Sequence, residues 1–114
     1  MKVVRADTTR ITVNRIFRTR NEAILLQDAD LVEVSGNMLR DAGRAAANGY
    51  DAISVRTSNR ILVRDNTAYG TARYAVAVPT GTGITVTGTR WRSMGTGGLT
   101  VTASGAVLSD NVGL

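Results

Sequence analysis

A repeated spacing of aliphatic residues constrains the fold of this chain more than any other feature. A pair of alternating aliphatics is followed eight residues later (seven in the last repeat) by a second pair, and five residues after the start of that pair by Asn or Thr. The first pairs are Ile24/Leu26, Ile53/Val55, Val76/Val78 and Leu99/Val101, the second pairs are Val32/Val34, Ile61/Val63, Ile84/Val86 and Ala106/Leu108, and the polar positions are Asn37, Asn66, Thr89 and Asn111. From Ile11 onward, the second pairs begin at intervals of 21, 29, 23 and 22 residues, which is typical of a solenoid.

Each repeat alternates apolar residues with polar or small ones, as in ISVRTSNRILVRDN. A period of two indicates strands with one buried face, and the Gly, Ser, Asn and Asp between the apolar runs favour bends. No stretch of the sequence sustains helical spacing. The pattern therefore predicts an all-β solenoid of about five coils, each pairing in parallel with the next at about 4.8 Å.

The chain is short enough to be a single domain, 1–114. Its predicted coils are 1–23, 24–52, 53–75, 76–98 and 99–114. The first coil is irregular, because Val3 and Arg5 stand where the first pair should be and Ile16 stands at the polar position. The second coil carries an insertion near 40–49, which would project from one face either as a binding surface or as a neutral loop.

The polar residues that end the second pairs form the most specific pattern. In a stack of coils, Asn37, Asn66, Thr89 and Asn111 would form one column and bond along it while satisfying the backbone of a bend. We therefore assign this column a structural role.

The segments VEVSGN, ILVRDN and ITVTGT resemble right-handed parallel β-helix repeats of the pectin lyase-like superfamily, over residues 11–111. The resemblance implies a right-handed parallel β-helix, and it is most like a phage tailspike-type module. Tailspike-like members pack side by side as homotrimers. Lyase-like members use calcium-binding carboxylates with an Arg base, and hydrolase-like members use clustered Asp residues with a His.

The nearest match to such carboxylates is Asp7, Asp28 and Asp30. Counting from Ile11 and Val32 places Asp7 and Asp28 in one column, with Asp30 two residues along. Carboxylates at that range would hold Ca²⁺ or share an acid/base role. The other interpretation is a solvated acidic corner, and our leading hypothesis assigns the chain no catalytic residue, no metal and no cofactor.

A second column lies eight residues after the start of each second pair and contains Thr19, Arg40, Tyr69 and Arg92. The preceding column points inward at Leu39 and Ala68, although Arg18 and Trp91 fit it poorly. Arg40, Tyr69 and Arg92, with Trp91 nearby, would then point outward. Such residues suit a glycan, a subunit interface or an inert surface.

Composition narrows the chemistry that the chain can perform. With neither His nor Cys, the chain has no disulfide, no thiolate metal ligand and no imidazole base. The net charge is +5, and all basic residues except Lys2 are Arg. Acidic polysaccharide or lipopolysaccharide are therefore reasonable partners, unless the arginines only solvate the surface. Nucleic acid is an unlikely partner because no recognition motif is visible.

No apolar run has the length of a signal peptide or a membrane span, so we expect a soluble chain, on a virion or cell surface. The leading hypothesis is a noncatalytic structural or attachment module of a homo-oligomeric spike, most simply a trimer. The alternatives are a minimal polysaccharide lyase, hydrolase or epimerase acting on uronate-containing polymer, and a filament that grows through open coil ends.

Overall fold

The computed structural model describes residues 1–47 and 49–114 and shows an all-β parallel solenoid of about five turns. Each turn contributes one strand to each of three five-stranded parallel sheets. Among the described residues there is no helix, and hence none of the length and hydrophobicity needed to cross a bilayer. The predicted fold class is confirmed.

The strands follow one another in the same order in every coil. The first coil contains β1 (Lys2–Val4), β2 (Asp7–Thr12) and β3 (Arg15–Phe17); the second β4 (Ile24–Gln27), β5 (Asp30–Ser35) and β6 (Met38–Arg40); the third β7 (Ile53–Arg56), β8 (Ser58–Arg64) and β9 (Thr67–Tyr69). The fourth contains β10 (Tyr74–Val78), β11 (Gly81–Thr87) and β12 (Arg90–Arg92), and the fifth β13 (Gly97–Val101), β14 (Val107–Ser109) and β15 (Val112–Gly113). The first, second and third strands of the coils form the first, second and third sheets.

The aliphatic pairs of the repeat form the interior of the solenoid. In the second, third and fourth coils they are fully buried: Ile24, Leu26, Val32, Val34, Ile53, Val55, Ile61, Val63, Val76, Val78, Ile84 and Val86. Burying an aliphatic side chain of this size contributes about 1.5–3 kcal/mol. In the last coil Leu99, Val101 and Ala106 pack against this core, whereas Leu108 is 48% exposed.

The register of the first coil differs from the one counted in the sequence. The structure pairs Thr9 with Val32 and Ile11 with Val34, a step of 23 residues instead of 21. Val13 alternates with Ile11 as a buried residue would, but it lies in a bend and is 82% exposed. Alternation alone cannot show that the chain turns after Thr12, so the predicted pair Ile11/Val13 is wrong as an inward pair.

The bends after the second and third sheets contain residues with a left-handed backbone, which recur one coil apart. One column after the second sheet contains Val13, Gly36, Asp65, Gly88 and Asp110, all with φ between 53° and 66°. A second column, after the third sheet, contains Arg18, Asp41, Gly70 and Ser93. Gly, Asn and Asp tolerate this conformation, whereas a β-branched residue such as Val13 is strained in it.

The insertion predicted near 40–49 folds back onto the first coil, although Asn48 lies outside the described residues. Three backbone amides of the insertion donate to carbonyls of the preceding coil: Gly43 N to Asn21 O at 2.9 Å, Arg44 N to Thr19 O at 3.0 Å and Ala45 N to Arg20 O at 2.9 Å. The start of the insertion is therefore held by the same kind of bond that joins the coils.

Candidate functional site

The predicted polar column is a chain of hydrogen bonds between coils. Asn37 Oδ1 accepts from the backbone N of Asn14 at 2.9 Å and from its Nδ2 at 3.0 Å. Asn37 Nδ2 in turn donates to Asn66 Oδ1 at 2.9 Å, and Asn66 Nδ2 donates to Val34 O at 2.9 Å. The first-coil residue of this column is therefore Asn14. The sequence alone placed Ile16 there because it put the first coil two residues out of register. Each amide also satisfies backbone groups of the bend.

Thr89 interrupts this column. Its side chain is buried, but its Oγ1 finds no hydrogen-bond partner among the described residues. The bonding resumes beyond it, where Asn111 Oδ1 accepts from Thr89 N at 3.0 Å and Asn111 Nδ2 donates to Val86 O at 3.0 Å. Thr is too short to make both of the contacts that Asn makes at this position.

The three predicted carboxylates do not form one cluster. Asp7 lies in register with Asp30, so the prediction that Asp7 and Asp28 share a column is wrong, for the same reason of register. Asp28 is exposed in the bend between β4 and β5, with φ at 53°. The part of the chain that the structure describes contains no group of three His, Cys, Asp or Glu side chains placed to hold a metal ion.

Asp30 is held by an arginine of the next coil. Arg60 Nε donates to Asp30 Oδ1 at 2.8 Å and Arg60 Nη2 to Oδ2 at 2.5 Å. These hydrogen bonds lower the pKa of Asp30 below its usual value and raise the pKa of Arg60. Both carboxylate oxygens are therefore engaged by a cation, which disfavours calcium binding there.

Arg40, Tyr69 and Arg92 lie side by side on the outer face of the third sheet. The strands β6, β9 and β12 place these residues directly in register, and Phe17 of β3 precedes them. Thr19 was expected in this column and is not in it. Arg40 and Arg92 are exposed, Tyr69 is half-buried and Phe17 is 50% exposed. We call these four residues the Arg-aromatic ladder.

Neighbouring members of the Arg-aromatic ladder lie about 4.8 Å apart along the solenoid. A hollow runs beside Arg40, Tyr69 and Arg92, with Asp41, Gly70 and Ser93 completing its lining. Asp41 is 4.0 Å from Arg40, a long and exposed ion pair that contributes little energy. The two guanidinium groups therefore remain available to an anion.

Trp91 points to the other side of the same strand. It is in register with Ile16, Leu39 and Ala68 and packs against the hydrophobic core. The first-coil residue of this inward column is therefore Ile16, and the sequence-based prediction of Arg18 at that position is wrong. Its ring lies against Gly98 and Gly113, and a Cβ on Gly113 would come within 2.9 Å of Trp91 Nε1. Packing of the indole therefore needs glycine at both positions, and the ring is not part of the outward face.

Positive charge is concentrated around the third sheet. Eight of the thirteen arginines lie on its strands or in the segments that follow them: Arg15, Arg18, Arg20, Arg40, Arg44, Arg73, Arg90 and Arg92. Of these, Arg73 is paired with Asp51. On the second sheet, by contrast, Arg60 pairs with Asp30, and Arg64 pairs with Glu33 and Asp65. The potential around the third sheet attracts anions, whereas that around the second is largely compensated.

A buried ion pair beside the first sheet was missed by the sequence reasoning. Asp51 is completely buried, and Arg73 donates to it through Nε at 2.8 Å and Nη2 at 2.6 Å. The backbone N of Tyr74 also donates to Asp51 Oδ1 at 3.1 Å. The only signal in the sequence was a pair of opposite charges 22 residues apart, about one coil.

Comparison with known proteins returned no match among protein-family models, curated proteins or solved structures. The parallel β-solenoid agrees with the fold implied by the resemblance described above. Membership of the pectin lyase-like superfamily and a tailspike-like role remain proposals. The function of this chain is therefore inferred from the residues on its outer surface.

Proposed function

We propose that the chain is a noncatalytic structural and attachment module that contacts acidic glycans through the Arg-aromatic ladder. The observation that carries this proposal is the alignment of Arg40, Tyr69 and Arg92 on three successive strands. A virion or cell surface is the setting that such a module suits. The uronate or phosphate groups of a surface polysaccharide are the chemistry that the ladder would recognise.

Each part of the ladder has a distinct role in this proposal. A guanidinium group binds a carboxylate through two parallel hydrogen bonds, and a Tyr ring offers an apolar face with a polar tip. Arg40 and Arg92 flank Tyr69, so one sugar ring would stack on the aromatic while acidic groups on either side meet the arginines. Because the three residues lie on paired strands of the solenoid, their backbone is ordered before binding and only the side chains lose conformational freedom.

The direct test is binding of an acidic glycan to single variants. Arg40→Gln, Tyr69→Ala and Arg92→Gln should each weaken binding of polygalacturonate, alginate or lipopolysaccharide about tenfold in calorimetry. Arg10→Gln is the matched control, since it removes one exposed positive charge from the second sheet. Binding that is absent, or that Arg10→Gln weakens as much as the ladder variants do, would contradict the proposal.

We also infer that the module works as a homo-oligomer, and the resemblance favours a trimer. The support in this chain is apolar surface on the outer side of the second sheet, where Leu31 is 47% and Val107 57% exposed and Leu62 lies between their coils. Leu62 and Val107 share a column in which Thr85 separates them, and Leu31 lines one hollow with Leu62. Exposed apolar groups on an outer sheet face suit contact with a second copy. Light scattering that finds a 12.1 kDa monomer at high concentration would contradict this inference.

A further inference from the structure

A second cationic feature lies where the insertion meets the first coil. Arg18, Arg20, Arg44 and Ala45 line a hollow of about 260 Å³ that is open to solvent. This hollow lies beyond the end of β3, in the segment that leads to the next coil, and it includes no member of the Arg-aromatic ladder. Three guanidinium groups at one concave site would repel one another in the absence of an anion.

The backbone determines the position of all three arginines. Arg18 has a left-handed conformation, with φ at 58°, and its N donates to Arg40 O at 2.8 Å. The main chain of Arg44 is bonded to Thr19, and that of Ala45 to Arg20, by the two bonds given above. The insertion therefore brings a residue of the second coil beside two residues of the first, and only the side chains remain to be ordered by a ligand.

The two carboxylates nearby in sequence do not pair with these arginines. Asp41 lies 4.0 Å from Arg40, and Glu22 lies 3.1 Å from Arg56. None of the three arginines of the hollow has a carboxylate within 4.0 Å or a side-chain hydrogen bond in the described part of the chain. No carboxylate of the described residues therefore pairs with these arginines, although Asp41 lines an adjoining hollow with Arg18.

We propose that this hollow binds a dianionic phosphoryl group, free or at the end of a larger molecule. Each guanidinium is a planar fork that matches two oxygens of a phosphate. A carboxylate or a phosphodiester carries one negative charge, whereas a terminal phosphate carries about −1.5 to −2 near neutral pH and presents three acceptor oxygens. Three cations around one hollow are thus better matched by a terminal phosphate. The site adjoins the Arg-aromatic ladder, since Arg18 also lines a hollow with Phe17 and Arg40. Arg20 and Arg44 line only the phosphate hollow and are not members of the ladder, so variants at these two residues distinguish failure of one proposal from failure of the other.

Matched small ligands test the charge requirement directly. Methyl phosphate, dimethyl phosphate, inorganic phosphate and acetate would be titrated into the intact protein and followed by amide chemical shifts in a chloride buffer of about 0.1 M ionic strength. We expect methyl phosphate to shift the amides of Arg18, Arg20, Arg44 and Ala45 and to bind about tenfold more tightly than dimethyl phosphate or acetate. Comparing methyl phosphate with inorganic phosphate distinguishes a terminal phosphomonoester from the free ion as the preferred form.

Variants locate the binding. Arg20→Gln and Arg44→Gln should each weaken methyl phosphate about tenfold. The control, Arg5→Gln, removes the same charge from the bend between β1 and β2 and should leave the affinity within about twofold, since screening confines the field of a surface charge to about 10 Å. Equal affinity for methyl and dimethyl phosphate, an equal loss in Arg5→Gln, or no shift at the hollow would each overturn the proposal.

Discussion

At the scale of single residues, the fold depends on what the bend positions demand. The bend after the second sheet needs one residue with positive φ, followed by a buried amide that bonds to the next coil. In this bend Gly or Asp provides the first and Asn the second, except at Val13 and Thr89. These two exceptions allow the account to be tested by substitutions that should stabilise the protein.

Thr89→Asn should stabilise the protein by about 1 kcal/mol, because an amide at this buried position can continue the hydrogen bonding between Asn66 and Asn111.

Asn66→Leu, which removes an amide from the same column, should destabilise the protein by about 1–3 kcal/mol, because buried backbone groups would lose their hydrogen-bond partners. Urea denaturation measures both effects. Asn21→Leu, at an exposed Asn whose side chain forms none of these bonds, serves as the control. A neutral Asn66→Leu would show that the column is not structural.

Val13→Asn should raise the free energy of unfolding by about 1 kcal/mol, since Asn tolerates the positive φ that strains a β-branched residue. The side chain of Val13 is largely exposed, so little buried surface is lost. Thermal denaturation would measure the gain. Val4→Asn, at an exposed valine without positive φ, should bring none; a gain at Val4 equal to that at Val13 would rule out the strain explanation.

At the scale of strands and coils, the two ion pairs in which an arginine binds both oxygens of a carboxylate of the preceding coil differ in burial. The Asp51 carboxylate is buried beneath Arg73 beside the first sheet, whereas Asp30 and Arg60 pair on the exposed side of the second sheet. Buried pairs are costly to break, and exposed pairs are weakened by water and salt. The two pairs should therefore respond differently to substitution and to pH.

Asp51→Asn should destabilise the protein by about 2 kcal/mol, because it weakens two charge-assisted hydrogen bonds from Arg73 at a buried position. Denaturant unfolding gives the value. The comparison is Asp65→Asn, an exposed carboxylate 3.1 Å from Arg64, which should cost less than about 1 kcal/mol. An equal loss in the free energy of unfolding for the two variants would mean that the buried ion pair stabilises the protein no more than the exposed one does.

The lowered pKa of Asp30 predicts a pH dependence of stability. Because the pKa is lower in the folded state, the contribution of this carboxylate is present above its unfolded pKa and is lost as pH falls through the folded value. The stability of the wild type should therefore fall more steeply than that of Asp30→Asn between about pH 5 and pH 2. Parallel stability profiles for the two proteins would show that the Arg60 contact is not maintained in solution.

At the scale of the whole molecule, sequence periodicity predicted the solenoid and most of its register. The predicted register of the aliphatic pairs in the second to fifth coils is correct, because each pair stacks on a buried residue of a neighbouring coil. The first coil was misplaced by two residues because Val13 continues the alternation into a bend. That one shift accounts for the errors at Asp28, Thr19 and Arg18.

Side-chain direction and contacts across coils could be predicted only in part. Arg40, Tyr69 and Arg92 were assigned to the outer face because their inward neighbours are apolar, and the structure aligns them. The buried pair of Asp51 and Arg73 joins different columns, so column counting could not find it. The hollow at Arg18, Arg20 and Arg44 depends on how the insertion folds back, which its composition does not specify.

We propose that the outer face of the third sheet contacts an acidic glycan. The most direct measurement is a titration of the ¹⁵N-labelled protein with a uronate oligosaccharide, followed by the amide and side-chain signals of each residue. We expect saturable shifts centred on Arg40, Tyr69 and Arg92, with the second-sheet residues Arg60 and Arg64 unaffected. Shifts centred on the second sheet, or no saturable shift at all, would contradict this proposal.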